Sequence, residues 1–218
     1  MAERKARLTF FIGTNGTGKS TAQKQFLAVN KRNLVFPSSS IDTIWDEFEK
    51  IVPEKRIIED PKALPGKPKP KVVYRIPRIN GYIGTRVVDE TGIPDENDVI
   101  ELMKSAINVK HGFKKGGLFL DDYKNLIKTN GTLGYELRKL LSIMRHIEVD
   151  IFLATHGFRE VNYQFFQHDP TFYIFKSDSP PGDKVKKQYN RFDELMEVYD
   201  HVQGMAETDP YYCAKFPQ

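Results

Sequence analysis

Leu8-Thr9-Phe10-Phe11-Ile12-Gly13-Thr14-Asn15-Gly16-Thr17-Gly18-Lys19-Ser20-Thr21 is the stretch that decides how the chain reads. Leu8 to Ile12 is an apolar run of strand character, and Gly13-x4-Gly18-Lys19-Ser20 has the spacing of a phosphate-binding loop. Glycines let the backbone take positive φ and turn its N–H groups inward around an anion. The helix expected to begin near Gly18 adds unpaired N–H groups and the positive end of its dipole. Lys19 is placed to reach the β- and γ-phosphates, and the Ser20 hydroxyl to ligate Mg²⁺. A strand before the pattern, a helix after it and a hydroxyl behind the lysine set it apart from a glycine-rich turn with a chance lysine. The implied ligand is a nucleoside triphosphate gripped by Gly13, Thr14, Asn15, Gly16, Thr17, Gly18, Lys19, Ser20 and Thr21. No motif that would read the base stands out.

A second signal lies about a hundred residues downstream. After the break at Gly116-Gly117, Leu118-Phe119-Leu120 runs into Asp121-Asp122. Many strands end in an acid, but with a phosphate loop upstream this one supplies the other half of a nucleotide site. Asp121 would hold Mg²⁺ through water, and Asp122 would orient the attacking water. Val149 to Ala154 reads as a buried strand ending in Thr155-His156. Residues just past the carboxyl end of a parallel strand border the ligand crevice, so either could meet the γ-phosphate.

Between these signals the pattern alternates strand and helix, the mark of an α/β fold with a mostly parallel sheet. Residues 19–30 predict a helix with Ala22, Phe26 and Val29 on one face, and Asn33 to Phe36 a strand. Ser38 to Ser40 offer caps for a helix bearing Ile41, Ile44, Trp45, Phe48 and Ile51, with its aromatics in the core. Pro94 to Lys110, Leu133 to Ile147 and Arg191 to Ala206 carry helical stripes, Thr171 to Phe175 a strand, and Lys184 to Tyr189 an edge strand. The tail from Tyr211 carries no pattern.

Composition shifts over residues 53–95, read as an insertion on the core rather than a second domain. Pro61 to Pro70 holds four prolines with Lys62, Lys67 and Lys69, which forbids a helix and favours an extended loop. Lys71 to Ile76 and Tyr82 to Val88 flank Asn80-Gly81, a hairpin signature. Lys71, Arg75, Arg78 and Arg86 with Tyr74 and Tyr82 mix cations and aromatics in a way that suits a nucleic-acid backbone. They equally suit a solvated hairpin whose charges guard an edge.

The 218 residues suit one α/β domain with this elaboration, 1–218. Hydrophobic residues at 39% and charged residues at 28% exclude a disordered composition. The net charge of +4, from 33 basic and 29 acidic side chains, points to local rather than global basic patches. Cys213 is the single cysteine, so no internal disulfide forms and a cytoplasmic location is the simplest expectation. No stretch approaches the roughly 20 apolar residues of a membrane span.

The order of phosphate loop, acid-tipped strand, arginine-bearing helix with Arg138 and Arg145, and strand ending in Thr155-His156 resembles the FtsK–HerA superfamily of DNA-pumping ATPases. The resemblance covers residues 7–36 and 116–176, and the compact size is most similar to the viral genome-packaging ATPases, with the zonula occludens toxin-like phage proteins close in pattern. It implies a P-loop NTPase three-layer sandwich with a mostly parallel central sheet and a β-hairpin insertion. It implies an ATPase using ATP and Mg²⁺, with Walker A roles for Lys19 and Ser20 and a Walker B role for Asp121. It further implies movement of DNA, duplex by expectation, by a ring, expected to be a hexamer, docked on a capsid or portal-vertex protein. An arginine from the neighbouring subunit would complete the site, with Arg145 the first candidate and Arg159 the second. Two positions depart from the family: Asp122 stands where glutamate is common, and His156 replaces the usual glutamine of the sensor. A side chain one carbon shorter moves a catalytic water by ~1 Å, enough to slow the chemistry.

Two other functions fit the same motifs. A small nucleoside or nucleotide kinase would need an arginine-rich lid, for which only residues 180–191 are available. A nucleotide-dependent assembly or secretion factor would bind ATP and hydrolyse it poorly.

Overall fold

The computed structural model describes residues 6–30, 32–37, 43–46, 49–51, 54–59, 70–75, 85–87, 114–126 and 135–217. In chain order their regular elements are β1 (Leu8–Ile12), α1 (Lys19–Gln25), β2 (Asn33–Phe36), β3 (Glu49–Ile51), β4 (Glu54–Glu59), β5 (Pro70–Arg75) and β6 (Thr85–Val87). There follow β7 (Gly116–Leu120), α2 (Tyr123–Leu126), α3 (Tyr135–Ile147), β8 (Val149–Thr155), β9 (Thr171–Ile174), α4 (Asp183–Lys186), α5 (Phe192–Met205) and β10 (Ala214–Phe216).

The main sheet has the order β10-β9-β1-β8-β7-β2-β6-β3. Every pairing in it is parallel except that of β10 with β9. Successive side chains on a strand face opposite ways, and the sequence supplies apolar residues for both faces. Phe10 and Ile12 on β1, Leu118 and Leu120 on β7, and Ile151 and Leu153 on β8 join one core. That core also takes in Leu137, Leu141 and Met144 of α3 and Leu195, Tyr199 and Val202 of α5. Phe11, Phe119, Phe152 and Ala154, the residues between, join a second core with Leu27 and Trp45 on the other face. Burial on both faces is what a parallel sheet between two helical layers requires. The fold is α/β, a three-layer sandwich with a mostly parallel centre.

A hairpin is present, but its partner strand differs from the expected one. β5 pairs antiparallel with β4 upstream, with Glu54 opposite Arg75 and Glu59 opposite Pro70. The expected partner enters the main sheet instead: β6 lies parallel between β2 and β3. Asn80-Gly81, Arg78, Tyr82, the proline-rich residues 61–69 and the expected helix from Pro94 to Lys110 lie outside the described residues. So Arg86 and Arg75 sit in different sheets, against the shared hairpin read from sequence.

Three further corrections follow from tertiary pairing overriding local pattern. The helix expected after Ser40 is a 3-10 turn at Thr43–Trp45 followed by β3 on the sheet edge. Trp45 is nonetheless fully buried. Lys184 to Tyr189 is not an edge strand, because Asp183 opens the short helix α4 after Gly182. The edge strand opposite β3 is β10, in the tail. On the first helix, Phe26 packs against the second core while Val29, beyond α1 in a 3-10 turn, is exposed.

Phe119 and Phe152 stack with ring centroids 4.3 Å apart at the centre of the second core. Phe152→Ala should cost about 3–5 kcal/mol, as for other large aromatic truncations. A shift in denaturation midpoint worth under about 1 kcal/mol would contradict this packing.

Candidate functional site

Three chain crossings meet at the carboxyl edge of the sheet. β1 pairs with β8 so that Ile12 stands opposite Thr155, and β8 pairs with β7 so that Leu153 stands opposite Leu120. The residues that follow, Gly13, Asp121 and His156, therefore emerge side by side. Gly13 N–H donates to the Thr155 carbonyl at 3.1 Å, and Thr14 N–H to the Lys176 carbonyl at 2.8 Å. A β-carbon at Gly13 would lie 2.7 Å from Phe175 Cβ, so only glycine fits this crossing. Gly16 and Gly18 take φ of 77° and 92°, a region that costs other residues about 1–2 kcal/mol. Gly18 hands the loop to α1, where Ala22 N–H donates to the Gly18 carbonyl at 2.9 Å.

Lys19 is buried, and its ammonium donates to the Thr14 carbonyl at 2.9 Å; the Thr17 hydroxyl donates to the same carbonyl at 2.8 Å. Burial pushes the Lys19 pKa down, and the carboxylates of Asp122, Asp121 and Glu160 oppose that shift. The lysine is thus a cation with little water and three acids around it. An anion entering the loop gains from a charge that solvent screens weakly.

Ser20 Oγ lies 3.4 Å from both carboxylate oxygens of Asp121. Asp121 is buried, its N–H donates to the Phe36 carbonyl at 3.0 Å, and the Trp45 indole N–H donates to its Oδ2 at 3.2 Å. A hydroxyl facing a fixed carboxylate beside an anion cradle is a donor set that fits Mg²⁺, a hard cation that prefers oxygen and keeps waters. Asp122 takes φ of 43°, a left-handed conformation that non-glycine residues adopt mainly where the surroundings hold them. Its Oδ2 lies 3.4 Å from His156 Nε2.

Glu160 also belongs to this cluster, though the sequence reading did not single it out. It sits in a 3-10 turn, Phe158–Glu160. Its Oε2 accepts from the buried Thr155 hydroxyl at 2.5 Å and from His156 N–H at 3.0 Å, while its Oε1 lies 3.5 Å from Lys124 Nζ. The Tyr123 hydroxyl donates to its backbone carbonyl. Thr155 is therefore turned to Glu160, and His156 carries the exposed side of the strand end. A cavity of about 400 Å³ lies between the loop, the two aspartates and Tyr211.

Other expected residues stand elsewhere. Arg145 is exposed in the last turn of α3, where the chain enters β8. The seven residues of β8, roughly 20 Å of strand, separate it from the loop after β1. Arg159 is exposed beside Glu160, with its N–H donating to Ser179 Oγ at 3.2 Å. Residues 180–191 form no lid, since Val185 and Tyr189 are buried in the first core. No described helix is long and apolar enough to cross a membrane.

These features define the class: an α/β fold of P-loop NTPase type with a cavity over its glycine-rich loop at the carboxyl edge of the sheet. The genome packaging NTPase B204 from Sulfolobus turreted icosahedral virus 2 has a similar structure. Its complex with AMP gives a TM-score of 0.64 at 12% identity, covering 99% of this chain and 93% of that one. The AMPPCP complex gives 0.63 at 12% identity, covering 97% and 92%. B204, the DNA-packaging ATPase from Sulfolobus turreted icosahedral virus, gives 0.59 at 14% identity, covering 96% and 91%. The likeness is one of fold over nearly the whole of both chains, and it agrees with the resemblance carried by the motifs. No protein-family model matches the sequence, and no curated protein matches it.

Burial by itself would push the Glu160 carboxyl up. The Thr155 hydroxyl, His156 N–H, Lys124 and the His156 ring outweigh it and hold the group below its ordinary value of 4.5. The stability from this depressed pKa is present above 4.5 and lost as pH falls through the lower folded value. Glu160→Gln should therefore flatten the acid loss of thermal midpoint below pH 4.5. An acid profile identical to that of the wild type would contradict the assignment.

Proposed function

We propose that this chain is an ATP-driven DNA translocase that loads a viral genome into a capsid, working as a single P-loop ATPase domain, 1–218, within a ring. The observation that carries the reading is the meeting of Lys19, Ser20 and Asp121 at one cavity, in a fold similar to packaging NTPases along almost its entire length.

In this reading the loop from Gly13 to Thr21 wraps the phosphates with its N–H groups beyond Thr14, since those of Gly13 and Thr14 are held by the Thr155 and Lys176 carbonyls. Lys19 neutralises charge that develops toward the γ-phosphate. Ser20 and Asp121 would hold Mg²⁺, which supplies Lewis-acid stabilisation of the phosphate oxygens when bound. Asp122 orients the attacking water, and His156, at 3.4 Å, positions Asp122. Hydrolysis adds water to the γ-phosphorus and releases ADP, phosphate and a proton. An arginine from the next subunit completes the charge balance. Arg145 is the first candidate for that arginine, and Arg159 is the alternative. Lys71 and Arg75, both on the insertion strand β5, are the candidates for contact with DNA. A capsid or portal-vertex protein would be the docking partner, and the host cytoplasm the setting.

A second reading has one observation in its favour. Asp122 stands where the family commonly has glutamate, and it already engages His156. Such a site suits a nucleotide-dependent assembly factor that turns over slowly.

The test is ATPase activity with and without duplex DNA, together with the native mass of the assembly. Lys19→Ala should lower turnover by at least about a hundredfold, or roughly 2.7 kcal/mol. Hydrolysis at the wild-type rate would refute the site. Replacing Lys71 and Arg75 by alanine should reduce stimulation by DNA and leave the basal rate intact. Nucleotide-dependent ring formation with negligible turnover would favour the assembly factor.

A further inference from the structure

The tail that carried no pattern in the sequence returns to the phosphate cavity. Tyr211 is one of its lining residues and is 67% exposed, the most exposed large hydrophobic side chain among the described residues. A single exposed aromatic on a surface means little. This one stands over the loop, since a β-carbon built on Gly18 would lie 3.7 Å from Tyr211 Cδ1.

Its backbone is tied down on both sides. Tyr211 N–H donates to Asp209 Oδ1 at 3.0 Å, and Tyr212 N–H to the Asp209 carbonyl at 3.0 Å. The Tyr212 hydroxyl lies 3.1 Å from His201 Nε2 on α5. Three residues after Tyr211, the chain joins the sheet as β10 with Ala214 opposite Ile174. The ring is thus exposed to solvent on a backbone that is held, which lowers the entropy cost of packing something flat against it.

The direction of the ligand follows from the loop. Backbone N–H groups take the α- and β-phosphates, the lysine reaches the β- and γ-phosphates, and the Ser20 hydroxyl faces the metal. Asp121, beside Ser20 Oγ, marks the γ-phosphate end. The nucleoside leaves by another wall, and Tyr211 over Gly18 provides one.

We propose that Tyr211 is the platform on which the base of the bound nucleoside triphosphate stacks. This rests on the phosphate-site reading above and adds the residue that holds the base. Stacking on an aromatic face tolerates any base, because every base has a π-face. That accounts for a nucleotide site with no base-reading motif in its sequence.

The test is calorimetric titration of the full chain with ATP and with inorganic triphosphate, for wild type, Tyr211→Ala and Tyr211→Phe. Tyr211→Ala should bind ATP about tenfold more weakly, in the range for loss of one stacked base. Its affinity for triphosphate should be unchanged, and Tyr211→Phe should bind both like wild type. Equal ATP affinity in Tyr211→Ala and wild type would overturn the platform while leaving the phosphate site standing. Parallel loss of ATP and triphosphate in Tyr211→Ala would also overturn it, making Tyr211 a support for the loop. A wild-type chain that does not bind triphosphate would overturn the phosphate site itself, and the platform with it.

Discussion

Parallel register is the constraint on which the rest of the molecule depends. Because β1, β8 and β7 run the same way in adjacent positions, their carboxyl ends finish at one edge. The loop after β1 and the acids after β7 are about a hundred residues apart in sequence and within hydrogen-bonding reach in space, Ser20 Oγ to Asp121 at 3.4 Å. A slip of one residue would send Phe10 and Ile12 into the opposite core and move Gly13 off the Thr155 carbonyl. Both faces are filled with large side chains, so such a slip is strongly disfavoured. The site is therefore placed by the packing of the sheet.

Charge decides what that edge does. Three carboxylates, Asp121, Asp122 and Glu160, act on one buried lysine. Each acid is held differently: Asp121 by Trp45 and Ser20, Asp122 by its strained backbone and His156, Glu160 by Thr155, His156 N–H and Lys124. Preorganised groups of this kind stabilise developing charge without rearranging when it appears. Glu160 ties the end of β8 to α2 through Lys124 and Tyr123. A change at His156 would be felt by both Asp122 and Glu160.

The parts legible in the sequence are those whose chemistry is local. Gly16 and Gly18 announce positive φ, Lys19 and Ser20 follow at fixed spacing, and Leu118 to Asp121 reads as a strand tipped by an acid. The stripe of α3 was legible because Leu137, Leu140, Leu141 and Met144 recur at helical intervals. What escaped depends on contacts between distant segments. Asn80-Gly81 suggested a local hairpin, whereas β5 pairs with β4 across the intervening proline-rich residues. Glu160 acts through a turn whose sequence carries no periodicity. Trp45 had one available signal, since a buried indole N–H needs a partner, but nothing local named Asp121 as that partner. Tyr211 is near the loop only because β10 pairs with β9, which pairs with β1.

The central claim is that Ser20 and Asp121 act together on one magnesium-bound nucleotide. A double-mutant cycle, Ser20→Ala with Asp121→Asn, read as the magnesium-dependent part of ATP affinity, tests it most directly. The account predicts strong non-additivity, with the double variant losing little more than either single variant and a coupling of about 1–3 kcal/mol. Two losses that simply add, or ATP affinity indifferent to magnesium in the wild type, would contradict it.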